Sequence, residues 1–76
     1  MNRRTGINIF IDMILSLEKP LGITELGSKM RMDNRLTRRN VNRLTEIGLI
    51  STDHTGKISL TGDGVIIHQI LDRNRK

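Results

Sequence analysis

Four arginines, Arg35, Arg38, Arg39 and Arg43, fall within nine residues, with Asn42 among them and an apolar stretch directly behind: RLTRRNVNRLTEIGLI, residues 35–50. A guanidinium stays charged and offers a planar fork of donors that matches phosphate or carboxylate oxygens two at a time. An Asn amide pairs one donor with one acceptor, the pattern that a base edge can match. The spacing suits a helix over about 34–47. With Leu44 taken as the inward direction, Thr37, Asn40, Val41 and Ile47 lie within about 60° of it at 100° per residue. Arg35, Arg38, Arg39, Asn42 and Glu46 then share the opposite half, with Arg43 on the flank. The arginines are therefore expected to face outward together, toward something anionic, from a rod whose other side is held by the protein.

The charge distribution sharpens this expectation. The 76-residue chain carries a net charge of +5. Within residues 29–43, Lys29, Arg31, Arg35, Arg38, Arg39 and Arg43, against the single acid Asp33, supply all of it, and the 61 residues outside that window hold seven cations and seven acids. One basic patch on an otherwise neutral surface points to a specific anionic partner rather than to general solubility.

Other chemistries find little support. His54 and His68 are the only histidines, one in an expected turn and the other expected on the outer side of the last helix. The acids are scattered, with no paired carboxylates and no nucleophile beside a base. The GDG at 62–64 is not followed by the Gly-Lys-Ser/Thr of a phosphate loop. With no Cys and two scattered His, no metal site is expected. The chain reads as neither an enzyme nor a cofactor protein.

Length allows one domain, 1–76, with a thin core built from Ile, Leu, Val and Met, because Phe10 is the only aromatic residue. The absence of Cys suits a reducing, cytoplasmic setting. In MNRRTGINIFIDMILSL, Asn8 and Asp12 interrupt the apolar stretch and no small-residue cleavage site follows, so a secretion signal is not expected. No run reaches the roughly 20 apolar residues that span a bilayer.

The elements that must position the arginines follow from periodicity and breakers. Residues 7–18 read as a helix, with Ile7, Phe10, Ile11, Ile14 and Leu15 as one apolar row and Ile9, Met13 and Leu17 as a second beside it. About two thirds of its circumference is apolar, more than one small core needs, so a second copy is expected to cover part of it. Pro20 and Gly22 end that helix, and Thr24 is the expected cap of a short helix over 25–30 with Leu26 and Met30 buried. Gly27 inside that helix costs up to about 1 kcal/mol against Ala, which a close helix crossing would explain. RMDN (31–34) is a break from which Asp33 or Asn34 can cap the arginine-bearing helix. Gly48 ends it. Residues 49–53 and 57–60 are short strand candidates joined by a turn with Gly56 at positive φ. Thr61 caps a last helix, 62–73, with Ile66, Ile67, Ile70 and Leu71 as its inner stripe. Residues 1–6 and 73–76 are expected to fray. The fold class is thus mainly α with one small β-hairpin.

A short helix, a tight turn and a second helix with exposed basic and amide groups is the helix-turn-helix arrangement, in which the second helix enters the major groove. ITELGSKM, VNRLTEIGLI and LTGDG, in this order within residues 23–64, resemble the positioning helix, the end of the recognition helix and the wing-to-helix step of the winged helix-turn-helix domain of MarR-like and ArsR-like transcriptional regulators. The turn RMDN departs from the usual apolar-then-Ser spacing, and Asn40 stands where a hydrophobic residue is usual. The resemblance implies a recognition helix reading double-stranded DNA through Arg35, Arg38, Arg39, Asn42 and Arg43. Of these, Arg38, Arg39 and Asn42 are expected to enter the groove, with Lys29, Arg31 and Arg43 on backbone phosphates. Thr24 and Ser28 are expected to bond phosphates from the first helix of the motif, and Lys57 to reach the minor groove from the wing. The expected function is a sequence-specific, cytoplasmic, nucleoid-associated regulator, a repressor acting as a homodimer. Its dimer interface is expected around Ile9, Met13, Leu17, Ile67, Ile70 and Leu71. The alternatives are a winged-helix module that docks an acidic protein or structured RNA, and a non-specific, chromatin-like DNA binder.

Overall fold

The computed structural model describes residues 6–74. Four helices and one hairpin follow one another as α1 (Gly6–Ser16), α2 (Ile23–Met30), α3 (Asn34–Glu46), β1 (Ile50–Thr52), β2 (Ile58–Leu60) and α4 (Gly62–Asn74). The chain is mainly helical with a two-stranded antiparallel hairpin, as expected. The last helix continues through Asn74 rather than fraying at 73. Residues 1–5 and 75–76, expected to fray, lie outside the described residues.

Met13, Ile14, Leu17, Leu21, Leu26, Met30, Val41, Leu44, Ile50 and Ile58 form one core. Every helix except α4 contributes fully buried apolar side chains to it, and α4 adds Ile67 and Leu71 as half-buried cover.

This core corrects the expected dimer surface. Met13 and Leu17 are only 0% and 2% exposed, and Ile9 packs against the same core. The row Ile9, Met13, Leu17 therefore faces this chain's own core, and no second copy can reach Met13 or Leu17. Ile11 and Leu15 are the half-buried remainder on α1. On α4 the expected inner stripe divides. Ile67 and Leu71 pack inward, whereas Ile66 and Ile70 are 55% and 47% exposed. His68, expected outside, is half-buried, and its Nε2 is enclosed with no hydrogen-bond partner among the described residues.

Two glycines permit the closest contacts. A Cβ on Gly27 would lie 2.8 Å from Thr37 Oγ1 and 3.0 Å from the Met32 carbonyl oxygen, so α2 and α3 cross where α2 has no side chain. A Cβ on Gly64 would collide with the Leu49 carbonyl. That contact seats the start of α4 on the residues that leave α3. Thr61 completes the seat. Its hydroxyl donates to the Gly48 carbonyl and accepts from the Gly64 N–H at 3.1 Å, while its own N–H donates to the Leu49 carbonyl at 3.0 Å. Thr61 is thus the cap of α4 that the sequence suggests.

The hairpin pairs Ile50 with Leu60, Ser51 with Ser59 and Thr52 with Ile58. Gly56 has φ +87° at its turn and Gly48 has φ +82° after α3, both in the region that favours glycine. Leu21 and Ile58 exchange two backbone hydrogen bonds, at 3.0 and 2.7 Å. This bridge fixes β2 to the chain entering α2, so the hairpin cannot swing independently of the helices.

Candidate nucleic-acid interface

The two helices of the motif are held at their ends by different devices. Gly22, not Thr24, is the N-cap of α2, and its N–H donates to the Glu25 carboxylate at 3.1 Å. Thr24 instead lies exposed in the first turn, with Ser28 one turn on. At the other end the Met32 N–H reaches the Gly27 carbonyl (2.8 Å) and the Arg31 N–H reaches the Ser28 carbonyl (3.2 Å). This double closure requires a left-handed residue between them, and that residue is Arg31, at φ 58° and ψ 44°. A non-glycine side chain in this conformation costs roughly 1–2 kcal/mol.

Asp33 then starts α3. Its carboxylate accepts from the Leu36 N–H at 2.8 Å. On the inner face, Thr37 and Asn40 are polar and buried alongside Val41 and Leu44. Each donates to its own helix, Thr37 Oγ1 to the Asp33 carbonyl (2.7 Å) and Asn40 Nδ2 to the Leu36 carbonyl (2.9 Å). Asn40 can therefore occupy a position where an apolar residue is usual without stranding its amide N–H in the core. Ile47, expected inward, is 61% exposed, because α3 has already ended at Glu46.

Arg35, Arg38, Arg39, Asn42 and Arg43 are all exposed on the other side of α3. No ion pair joins any of these arginines to an acid among the described residues. From Arg35 to Arg43 the helix rises about 12 Å, at 1.5 Å per residue. Arg38 and Asn42 stand on the flank beside the hairpin, where they line a cleft of about 250 Å³ with Ile23, Val41, Thr52, Gly56 and Ile58. Arg35 and Arg39 lie along the middle of the face and Arg43 on the flank away from the hairpin.

Two expected cations are committed elsewhere. Lys29 Nζ donates to the Ser16 carbonyl at 3.2 Å. That carbonyl is in the last turn of α1, where a cation is favoured. Lys57 Nζ lies 3.4 Å from Glu25 Oε1, and both side chains are about half exposed. The Lys57 ammonium is therefore held at the start of α2, not extended from the hairpin. The hydrogen bond from the Gly22 N–H, followed by the Lys57 charge, holds the Glu25 carboxyl below its ordinary pKa. Neither pairing is signalled by local pattern, since the partners are 13 and 32 residues apart.

Asp53 shapes the hairpin loop. One carboxylate oxygen accepts from the Thr55 hydroxyl (2.6 Å), the Thr55 N–H (2.8 Å) and the Lys57 N–H (3.0 Å). These bonds, the Thr55 hydroxyl foremost, lower the Asp53 pKa. The loop is thus internally braced, with His54 and Thr55 exposed at its tip.

Among the described residues, no group of three His, Cys, Asp or Glu is placed to hold a metal ion, and no helix is long and apolar enough to cross a membrane. No protein-family model and no curated protein matches the chain.

Proposed function

We propose that this chain is a winged helix-turn-helix regulator that binds double-stranded DNA, with α3 as its recognition helix. The observation that carries the reading is the face of α3. Five side chains able to bond phosphates or base edges project from one rigid rod, without acid partners among the described residues, while the opposite face is locked into the core. A helix of this kind fits the major groove, roughly 12 Å wide.

In this reading Arg38, Arg39 and Asn42 contact base edges. Arg offers its fork to guanine O6 and N7, and Asn pairs with adenine N6 and N7. Arg35, Arg43 and Arg31 neutralise phosphates, helped by the hydroxyls of Thr24 and Ser28 on α2. Lys57 joins only by leaving Glu25, and Lys29 only by leaving Ser16. Two copies binding a palindrome, with recognition helices about 34 Å apart in successive major grooves, would occlude a promoter.

Selection of bound fragments from random duplex DNA tests this directly. A recovered palindromic consensus is the expected result, and equal retention of all sequences would replace it with non-specific packing. Gel shifts with Arg38→Ala and Arg39→Ala should lose affinity and sequence preference. Unchanged binding by both variants would end the proposal.

A further inference from the structure

Helix α4 has a face that the fold leaves uncovered. Gly64 is buried, and Ile67, His68 and Leu71 are half-buried on the inner side. Ile66 and Ile70 lie one turn apart on the outer side, 55% and 47% exposed. At 100° per residue, Asp63 and Arg73 fall on the same outer strip, one in the first turn and one in the last. Both are exposed, and neither has an ion-pair partner among the described residues.

These four residues are arranged symmetrically along the helix. Positions 63 and 73 are equidistant from position 68, and so are 66 and 70. Laying a second α4 antiparallel across the first, with a two-fold axis at position 68, sets Ile66 against Ile70 of the second copy. The same operation sets Asp63 against Arg73 of the second copy. Each contact occurs twice, which is the self-complementarity that a two-fold interface demands. A parallel arrangement would instead put Asp63 beside Asp63 and Arg73 beside Arg73.

We propose that α4 pairs with α4 of a second copy of this chain, antiparallel about position 68. This names the face of the homodimer in the preceding reading, but it needs no nucleic acid. The core of each copy is complete without the contact, so the monomer stays folded. A 13-residue helix is only about 20 Å long. One such helix pair buries less than the roughly 1,200 Å² at the low end of stable interfaces, so association is concentration-dependent rather than permanent.

Sedimentation equilibrium of the purified chain without DNA, from micromolar to millimolar concentration, tests the pairing. A monomer–dimer equilibrium is expected. Ile70→Ser should shift it to monomer with an unchanged circular dichroism spectrum. Asp63→Arg and Arg73→Asp should each weaken it by about tenfold, since two attractive pairs become repulsive. The double reversal should restore it. Because the chain contains no Cys, introduced thiols report cleanly. A mixture of Ile66→Cys and Ile70→Cys chains should oxidise to the mixed dimer faster than either chain alone. A strict monomer at all concentrations overturns the proposal. So does a dimer indifferent to Ile70→Ser and to both reversals, because its interface then lies elsewhere. Dimerisation through α4 without any affinity for duplex DNA would leave this proposal standing and end the DNA reading, and specific DNA binding by a strict monomer would do the converse.

Discussion

Gly27 of α2 lies against Thr37 of α3 so closely that a Cβ on Gly27 would come within 2.8 Å of the Thr37 hydroxyl oxygen. Thr37 cannot simply turn aside. It is fully buried and donates to the Asp33 carbonyl, and the Met32 carbonyl closes the other side at 3.0 Å. The pair sets how α3 is carried on α2, and so how the arginine face is presented.

Gly27→Ala should therefore destabilise the protein by about 1–3 kcal/mol, despite the better helix propensity of Ala. In a domain of this size each kcal/mol lowers Tm by roughly 4–8 °C. Gly64→Ala should be worse, because its obstacle is the Leu49 backbone rather than a side chain. Thermal unfolding followed by circular dichroism checks both, and a Tm for Gly27→Ala at or above that of the parent chain would contradict the close crossing.

Arg31→Gly should separate stability from binding. Glycine adopts the left-handed closure of α2 without penalty, so the variant should gain about 1 kcal/mol. If Arg31 meets a phosphate, the same variant should bind duplex DNA more weakly, and its log K against log salt slope should flatten by about 0.9. Equal affinity and slope would remove Arg31 from the interface.

Glu25→Gln should release Lys57. The hydrogen bond from Gly22 can survive on the amide oxygen, but the charge partner of Lys57 is gone. Affinity for any duplex should rise at low salt, with a slope steeper by up to about 0.9. A variant that binds as the parent does would show that Lys57 stays away from DNA even when free.

The hairpin and the start of α2 should loosen together in acid. Asp53 and Glu25 both have folded pKa values below their ordinary ones. Their contribution is present above the unfolded carboxylate pKa, near about 4, and is lost as pH falls through the lower folded values. Amide exchange at Gly22, Thr55 and Lys57 should be well protected and level from about pH 5 to 8 after correction for intrinsic rates, then lose protection below about pH 4. Protection unaltered in acid would show that these carboxylates do not brace the backbone.

Met13→Ala discriminates core from interface. A fully buried Met should cost about 2–5 kcal/mol in folding stability. A well-folded variant that merely changed its oligomeric state would return Met13 to the dimer surface.

What the sequence determined by itself was the part governed by local rules. The outward face of α3 was legible because arginines and apolar residues alternate at helical spacing with strong contrast. Gly48, Gly56 and Thr61 were legible because a positive φ or a cap can be met by few residue types. Gly27 could be read as a close crossing, although not against which atoms. The tertiary structure decided what contrast could not. On α1, two apolar rows lie side by side, and only packing against the rest of the chain selected Met13, Ile14 and Leu17 for the core. On α4, Ile66, Ile67, Ile70 and Leu71 are chemically alike, and the seat of Gly64 on Leu49 turned Ile67 and Leu71 inward. Lys29 and Lys57 looked as available as the arginines until the fold brought Ser16 and Glu25 to them. Periodicity names a face only where its two sides differ, and a charge is free only if nothing distant in the chain folds back to meet it.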